Sequence, residues 1–443
     1  YIIDGQHRLY GYANSQYKDS NTIPVVAFDG LDSIEQLQLF MDINENQKAV
    51  SANLRLDLEE DLYWDSPVAA SRLKALRSSI IKQIAYSQNG PLYNKISVGE
   101  ERSILSFKPF STALLKSGLL PIAKGNKYDE SSVMPALYDV NNHNHPKEME
   151  KCKKKVVQLL NFCYDFVEER YRSVFEREKY FIVSDRGTYA FITLIGSLNT
   201  FLINKKELSR SSPPKERFES LEKYLDAVLQ KISTLTKENE DKYLSLLGAG
   251  ADVKWLRFFQ SIVNDKYSDY NPEDLIDWKE RQDGELQDSG RRFGEAIETH
   301  MKHVILDTLK LSYGEDWEVE IASIKRECVK RASEEQEKNY KDGLGNEEIE
   351  WTTKFTIMDY KKIIEQHWSK PRREEGDAFK YFQEVFAIDV GLGFNSKAEK
   401  IKWIAQFNKY RNLWAHKGTK EKGLNKDEVE FLKKVYDFFE LNG

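Results

Sequence analysis

The chain has 443 residues, with 66 Lys and Arg against 72 Asp and Glu, a formal net charge of −6. At roughly 100–200 residues per domain that length predicts two to four domains, and the slight acidity excludes a wholly basic nucleic-acid coat while permitting a local phosphate-binding patch. Charged residues at 31% and aromatic residues at 12% exclude a disordered chain, and three cysteines (Cys152, Cys163 and Cys328) with no Cys-x-x-Cys exclude a disulfide scaffold and a zinc ribbon.

Tyr1-Ile2-Ile3-Asp4 reads as a short sheet strand with no initiator Met, so the sequence is expected to start inside a domain. Gly5–Tyr17 follows with Leu9, Tyr12, Ala13 and Gln16 on one helical face. The β-branched run Ile23–Phe28, closed by Asp29-Gly30, predicts a strand and a turn, and Ser33 is placed to cap a helix carrying Ile34, Leu37, Phe40 and Met41. From Ser51 to about Glu285 the pattern is mostly helical. Irregular pieces fall at Asn89–Ile96 and Asn126–Pro146, an exposed connector at Ser209–Pro214 and a Gly-rich break at Gly248–Ala251. The most apolar stretch, Tyr189–Ile203, is interrupted by Thr193, Ser197, Asn199 and Thr200 and falls short of the roughly 20 residues a membrane span requires, so it reads as a buried helix.

The polar stretch Asp277–Arg292 predicts the main boundary, dividing residues 1–285 from 286–443. Beyond it Phe293, Ile297, Met301, Ile305 and Leu309 mark an amphipathic helix ending near Tyr313-Gly314. Helices are also predicted over Lys325–Lys341, Ile357–Trp368 and Lys397–His416, and a last one begins at Asn425 with Glu428 at capping-box spacing. The fold class expected is α+β: a small α/β core over about residues 1–60, a mainly helical region, and an all-α C-terminal bundle.

Two motifs carry chemistry. Asp4-Gly5-Gln6-His7-Arg8 stands where a strand turns into a helix. There Gly5 permits the turn, the first helical N–H groups offer an anion site, and His7 and Arg8 can reinforce it. The same residues also fit a plain packing turn with Arg8 paired to a carboxylate. A second polar cluster, Asp42-Ile43-Asn44-Glu45-Asn46-Gln47-Lys48, either lines a shallow site or is a solvated helix end. Together with Pro24-Val25-Val26, Phe40-x-x-Ile43-Asn44, Pro91-Leu92-Tyr93-x-Lys95-Ile96, Gly187 with Ala190, and Trp255 with Asn271-Pro272-Glu273, these residues resemble the DGQHR-domain family over about residues 1–280. Its members are relatives of ParB-like and sulfiredoxin-like folds and include the DndB proteins of DNA phosphorothioation systems. The resemblance implies a ParB-like core that binds ATP, another nucleotide or DNA phosphate. Asp4, Gly5, Gln6, His7 and Arg8 would hold the phosphate, and Asn44, Gln47 and Lys48 would complete the site.

The second motif is Arg411-Asn412-Leu413-Trp414-Ala415-His416, on a helix where Ile401, Ile404, Phe407 and Arg411 share a face. Its residues suit phosphodiester cleavage, and they equally suit hydrogen bonds that tie helix ends in a dimerising bundle. At about 100° per residue, Arg411 and His416 diverge by about 140°, so a second copy across a two-fold axis is the simplest way to reunite them. The Arg-x-x-x-x-His pattern, with Tyr313–Trp317, Phe355–Tyr360 and Trp368, resembles the Swt-type branch of HEPN domains over about residues 286–443. That resemblance implies RNA cleavage without a metal, His416 acting as base or acid, Arg411 stabilising the phosphorane charge and Asn412 orienting the phosphate.

Of the other histidines, His143 and His145 read as loop residues, while His300, His303 and His367 are expected at solvent or at core edges. The Lys147–Lys155 run and Lys205–Arg217 suit either nucleic-acid contact or a solvated face. The partners expected are DNA or RNA, a second copy of the chain and other defence-system proteins, in the cytoplasm and without a membrane. The contrasting expectation is a DndB-like DNA-binding regulator whose C-terminal bundle only dimerises.

Overall fold

The computed structural model describes residues 2–3, 5–13, 15–20, 22–47, 52–99, 101–177, 181–245, 250–345, 347–368, 378–415 and 423–440. It is mostly helical, with two small two-stranded sheets, and divides into two compact units, Tyr1–Leu275 and Ile276–Gly443.

The first unit opens with α1 (Gln6–Ala13), α2 (Ser33–Gln47), α3 (Ala52–Tyr63) and α4 (Ala69–Tyr86). Next come β1 (Ile96–Ser97), paired in parallel with β2 (Leu105–Ser106), and α5 (Phe107–Lys116). β3 (Ala123–Lys124) and β4 (Lys127–Tyr128) form an antiparallel hairpin in which Lys124 faces Lys127 across the two residues Gly125-Asn126. The unit closes with α6 (Glu130–Val133), α7 (His145–Arg170), α8 (Arg172–Phe175), α9 (Asp185–Asn204), α10 (Pro214–Ser233), α11 (Lys237–Leu244) and α12 (Ala251–Lys266).

α9 lies at the centre of this unit. Phe191, Ile192, Leu194, Ile195, Leu198 and Leu202 are fully buried, as expected of a helix apolar on most of its circumference. Ser184 caps it by accepting from Gly187 N at 3.0 Å. Gly187 is required there because a Cβ would overlap the Phe181 carbonyl oxygen. Its place in the sequence pattern therefore has a packing cause.

The second unit follows α13 (Leu275–Glu280) with α14 (Gly284–Tyr313), α15 (Trp317–Glu320), α16 (Ala322–Lys341), α17 (Ile357–His367), α18 (Ala378–Phe386), α19 (Lys397–Lys400), α20 (Lys402–Ala415) and α21 (Lys426–Phe438). Asp283 caps α14, whose stripe Phe293, Ile297, Met301, Ile305 and Leu309 is buried at four-residue spacing, and Gly314 at φ 57° ends it. Thr356 with Asp359 and Asn425 with Glu428 form full capping boxes.

Several expectations are corrected. The strand expected at Ile23–Phe28 does not form: these residues pair with no strand among those described, and Val25 and Val26 are each 83% exposed. β-branched composition suits a strand, but a strand exists only through its ladder partner. Tyr1 and Asp4 of the first expected strand lie outside the described residues, and Ile2 and Ile3 carry no regular structure. α1 ends at Ala13, so Gln16 and Tyr17 of the expected helix lie in a turn. Asp32, one residue ahead of Ser33, closes a capping box at the start of α2, donating N–H to Glu35 Oε2 at 2.9 Å and accepting from Glu35 N at 2.8 Å. The division between units falls before the polar stretch rather than after Glu285, because Asp277, Glu280 and Arg281 bond to Asn425, Lys426 and Glu428 of the second unit. The Lys397–His416 helix breaks at Ile401 into α19 and α20. His367 is buried, not at an edge, with Nδ1 3.2 Å from the Tyr313 hydroxyl. Arg217 is 1% exposed, bonded to Asn199 and to the Ser209 and Ser212 carbonyls, so it faces the interior of the Ser209–Pro214 connector and not nucleic acid. Lys205, from the same run, is paired with Asp269 at 2.7 Å and Glu207 at 2.9 Å.

Candidate functional site

The C-terminal motif is built on three helices. On α20, Trp403, Ile404 and Phe407 are buried, and Trp403 donates its indole N–H to the Phe386 carbonyl at 3.0 Å, which fixes the rotation of the helix. Trp414 lies against Gly294 of α14, where any Cβ would overlap its ring. With Trp414 docked inward, Asn412 is exposed and Arg411 is part-buried.

Arg411 meets Glu298 of α14 in a two-bond ion pair, Nε to Oε2 at 3.0 Å and Nη2 to Oε1 at 3.2 Å. The two side chains are 33% and 30% exposed, so the pair lies at the rim of the bundle and not in its core. Nη1 has no partner among the described residues, which leaves one edge of the guanidinium for a phosphate oxygen. Tyr360 of α17 is the third member: burial pushes its phenol up and the Glu298 carboxylate adds to that, while Arg411 opposes it. Sequence reasoning missed Glu298 as a site residue. Its signal is positional, one turn after Gly294 and beside the buried Ile297 on the stripe that faces α20. His416 lies outside the described residues.

Below this rim a buried ion pair locks α16 to the start of α17. Arg331 Nη1 donates to Asp359 Oδ2 at 2.6 Å and to the Lys354 carbonyl at 2.9 Å, and Asp359 is 2% exposed. Burial alone would raise the Asp359 carboxyl, yet hydrogen bonds from Arg331 and Thr356 outweigh it and hold the group below its usual range.

In the N-terminal motif, Gly5 takes φ 88°, a left-handed conformation suited to glycine, and its carbonyl accepts from Leu9 N at 3.0 Å, so it is the residue from which α1 starts. Gln6, His7 and Arg8 form the first turn of α1, and Asn44 and Gln47 belong to the last turn of α2, all described by backbone alone. Asp4 and Lys48 lie outside the described residues. Among the described residues no group of three or more His, Cys, Asp or Glu side chains is placed to hold a metal ion, and no helix is long and apolar enough to cross a membrane.

No family model, no curated protein and no solved structure matches the chain.

Proposed function

We propose that the chain is a nucleic-acid-associated, defence-type protein of two modules: a DGQHR-like module that binds nucleotide or DNA phosphate, and a HEPN-like module that cleaves RNA without a metal ion. The ParB-like core, the nucleotide ligand and the cytoplasmic location belong to this reading. Its main support is the setting of Arg411. Glu298 holds the guanidinium end-on, Nη1 is left open and Asn412 is exposed on the next residue, at the end of the helix five residues before His416. In the reaction proposed, His416 removes the proton from the RNA 2′-OH, the 2′ oxygen attacks the adjacent phosphorus, and Arg411 neutralises the charge of the phosphorane. The 5′ oxygen leaves with a proton, and a 2′,3′-cyclic phosphate remains.

End-labelled RNA, incubated with the full chain with and without EDTA, tests this. Cleavage should survive the chelator, spare DNA because it lacks the attacking 2′-OH, and stop in Arg411→Ala. Cleavage that requires a metal ion would point to a different nuclease. For the first module, Arg8→Ala should abolish ATP or DNA binding, and equal binding by variant and wild type would sink that assignment. The composite site requires a dimer in sedimentation equilibrium.

The ion pair also favours a second reading. Glu298 already compensates the Arg411 charge, as in a tie between two helices, and on that reading the protein is a DNA-binding regulator whose C-terminal bundle only dimerises. A chain that dimerises and binds DNA but leaves RNA intact supports it.

A further inference from the structure

In the first unit, polar groups converge with protons to donate and no carboxylate to receive them. Arg72, in the first turn of α4, is 6% exposed. Its Nη1 donates to the Ser66 carbonyl at 2.8 Å, its Nε is buried with no hydrogen-bond partner, and it forms no ion pair among the described residues. The Tyr128 hydroxyl, at the end of β4, is likewise buried and unpartnered among them. Tyr138 is within electrostatic reach of both: burial and Tyr128 push its phenol up, and Arg72 pulls it back. Its hydroxyl lies 3.5 Å from Nδ1 of His145, the first residue of α7, which is part-exposed. Burial, then Arg72, then His143 hold the His145 imidazole below its usual range, as expected next to an uncompensated cation.

The surrounding fold keeps these groups in place. Ala69 N donates to Asn126 Oδ1 at 2.8 Å and Ala70 N to the Gly125 carbonyl at 2.9 Å, which bolts the hairpin bearing Tyr128 to the start of α4. Arg210 Nη2 donates to the Tyr138 carbonyl at 2.8 Å and brings a further cation. The neighbouring carboxylates are engaged elsewhere. Glu148 accepts from Asp139 N and Asn142 Nδ2, each at 2.9 Å, and Asp139 accepts from Asn141 N at 3.1 Å and lies 3.8 Å from Arg210.

A guanidinium buried without a counter-ion is costly, and unmade donors in a folded interior call for an acceptor. We propose that Arg72, Tyr128, Tyr138 and His145 form a binding site for a small oxyanion of the phosphate class, entered beside His145. The anion accepts from Arg72 Nε and the Tyr128 hydroxyl and sits at the positive end of the 26-residue helix α7. This site is separate from the N-terminal motif and does not rest on its assignment.

Inorganic phosphate is the probe, titrated into the full chain carrying Arg8→Ala so that phosphate held at the N-terminal motif is not counted, against chloride at matched ionic strength. Phosphate should raise the unfolding temperature and give a calorimetric binding isotherm. Adding Tyr128→Phe should leave the unfolding temperature without phosphate equal or higher, since it deletes an unmade hydrogen bond, and should weaken phosphate about tenfold. Arg72→Gln should remove binding, and if that variant does not fold Tyr128→Phe decides alone. No response to phosphate beyond that to chloride, or equal affinity with and without the Tyr128 hydroxyl, overturns the site.

Discussion

The two motif-bearing regions differ in what supports them. Around Arg411, buried Trp403, Ile404 and Phe407, the Trp414–Gly294 contact and the Glu298 ion pair each tie α20 to a neighbour. Around α1, the described side chains face solvent: Leu9, Tyr10, Tyr12, Val25, Val26 and Phe28 are all exposed. A motif can thus be equally distinct in two stretches of sequence while only one stretch carries its own packing. Where it does, the site can be probed through its supports; where it does not, only the motif residues themselves give a handle.

Substitutions can break or sharpen that contrast. The largest effect is expected from Gly294→Val, whose side chain would occupy the space of the Trp414 ring and cost the second unit about 3 kcal/mol in urea unfolding, releasing Arg411 from Glu298. Asp359→Ala strands Arg331 and should cost about 2 kcal/mol at neutral pH. Because the folded-state carboxyl of Asp359 lies below its ordinary value of about 4, its contribution is present above that pH and lost as pH falls through the depressed value. Melting curves from neutral to acid pH should therefore converge for wild type and variant. Glu298→Gln, at a rim pair roughly one-third exposed, should cost about 1 kcal/mol.

Asp165, on α7 of the first unit, titrates in the opposite sense. Burial, then Glu169 and Glu168, push its carboxyl up to about 6, so the folded state holds the proton more tightly than the unfolded chain. The first unit should therefore gain stability as pH falls from about 6 to about 4, and at neutral pH Asp165→Asn should stabilise it by about 1 kcal/mol after solvent screening. The smallest effect is expected from Val25→Ser with Val26→Ser, within about 0.5 kcal/mol. A loss above about 2 kcal/mol there would mean that the N-terminal segment is packed, and the contrast with α20 would fail.

Much of the helical architecture is legible in the sequence because it is local. The four-residue stripe of α14, the Asn425–Glu428 box and the apolar character of α9 all depend on residues within a few turns of one another. Two features missed by the sequence reading had local signals too. Asp32-x-x-Glu35 has capping-box spacing, and Gly125-Asn126 between Lys124 and Lys127 is a two-residue hairpin loop. The rest depends on distant partners. Glu298 lies 113 positions from Arg411, and nothing in its immediate neighbours announces the pair. Arg217 reads as part of a basic surface run until Asn199, on the preceding helix, takes it inside. Ile23–Phe28 has strand composition, and composition supplies no partner.

The most direct test of the central claim is end-group analysis of RNA treated with wild type, Arg411→Ala and His416→Ala, each first shown by circular dichroism and thermal melting to be folded. The account requires 2′,3′-cyclic phosphate ends from the wild type in the presence of EDTA and none from either variant. Undiminished cleavage by folded His416→Ala would contradict it, and the motif would then be a set of helix-end hydrogen bonds.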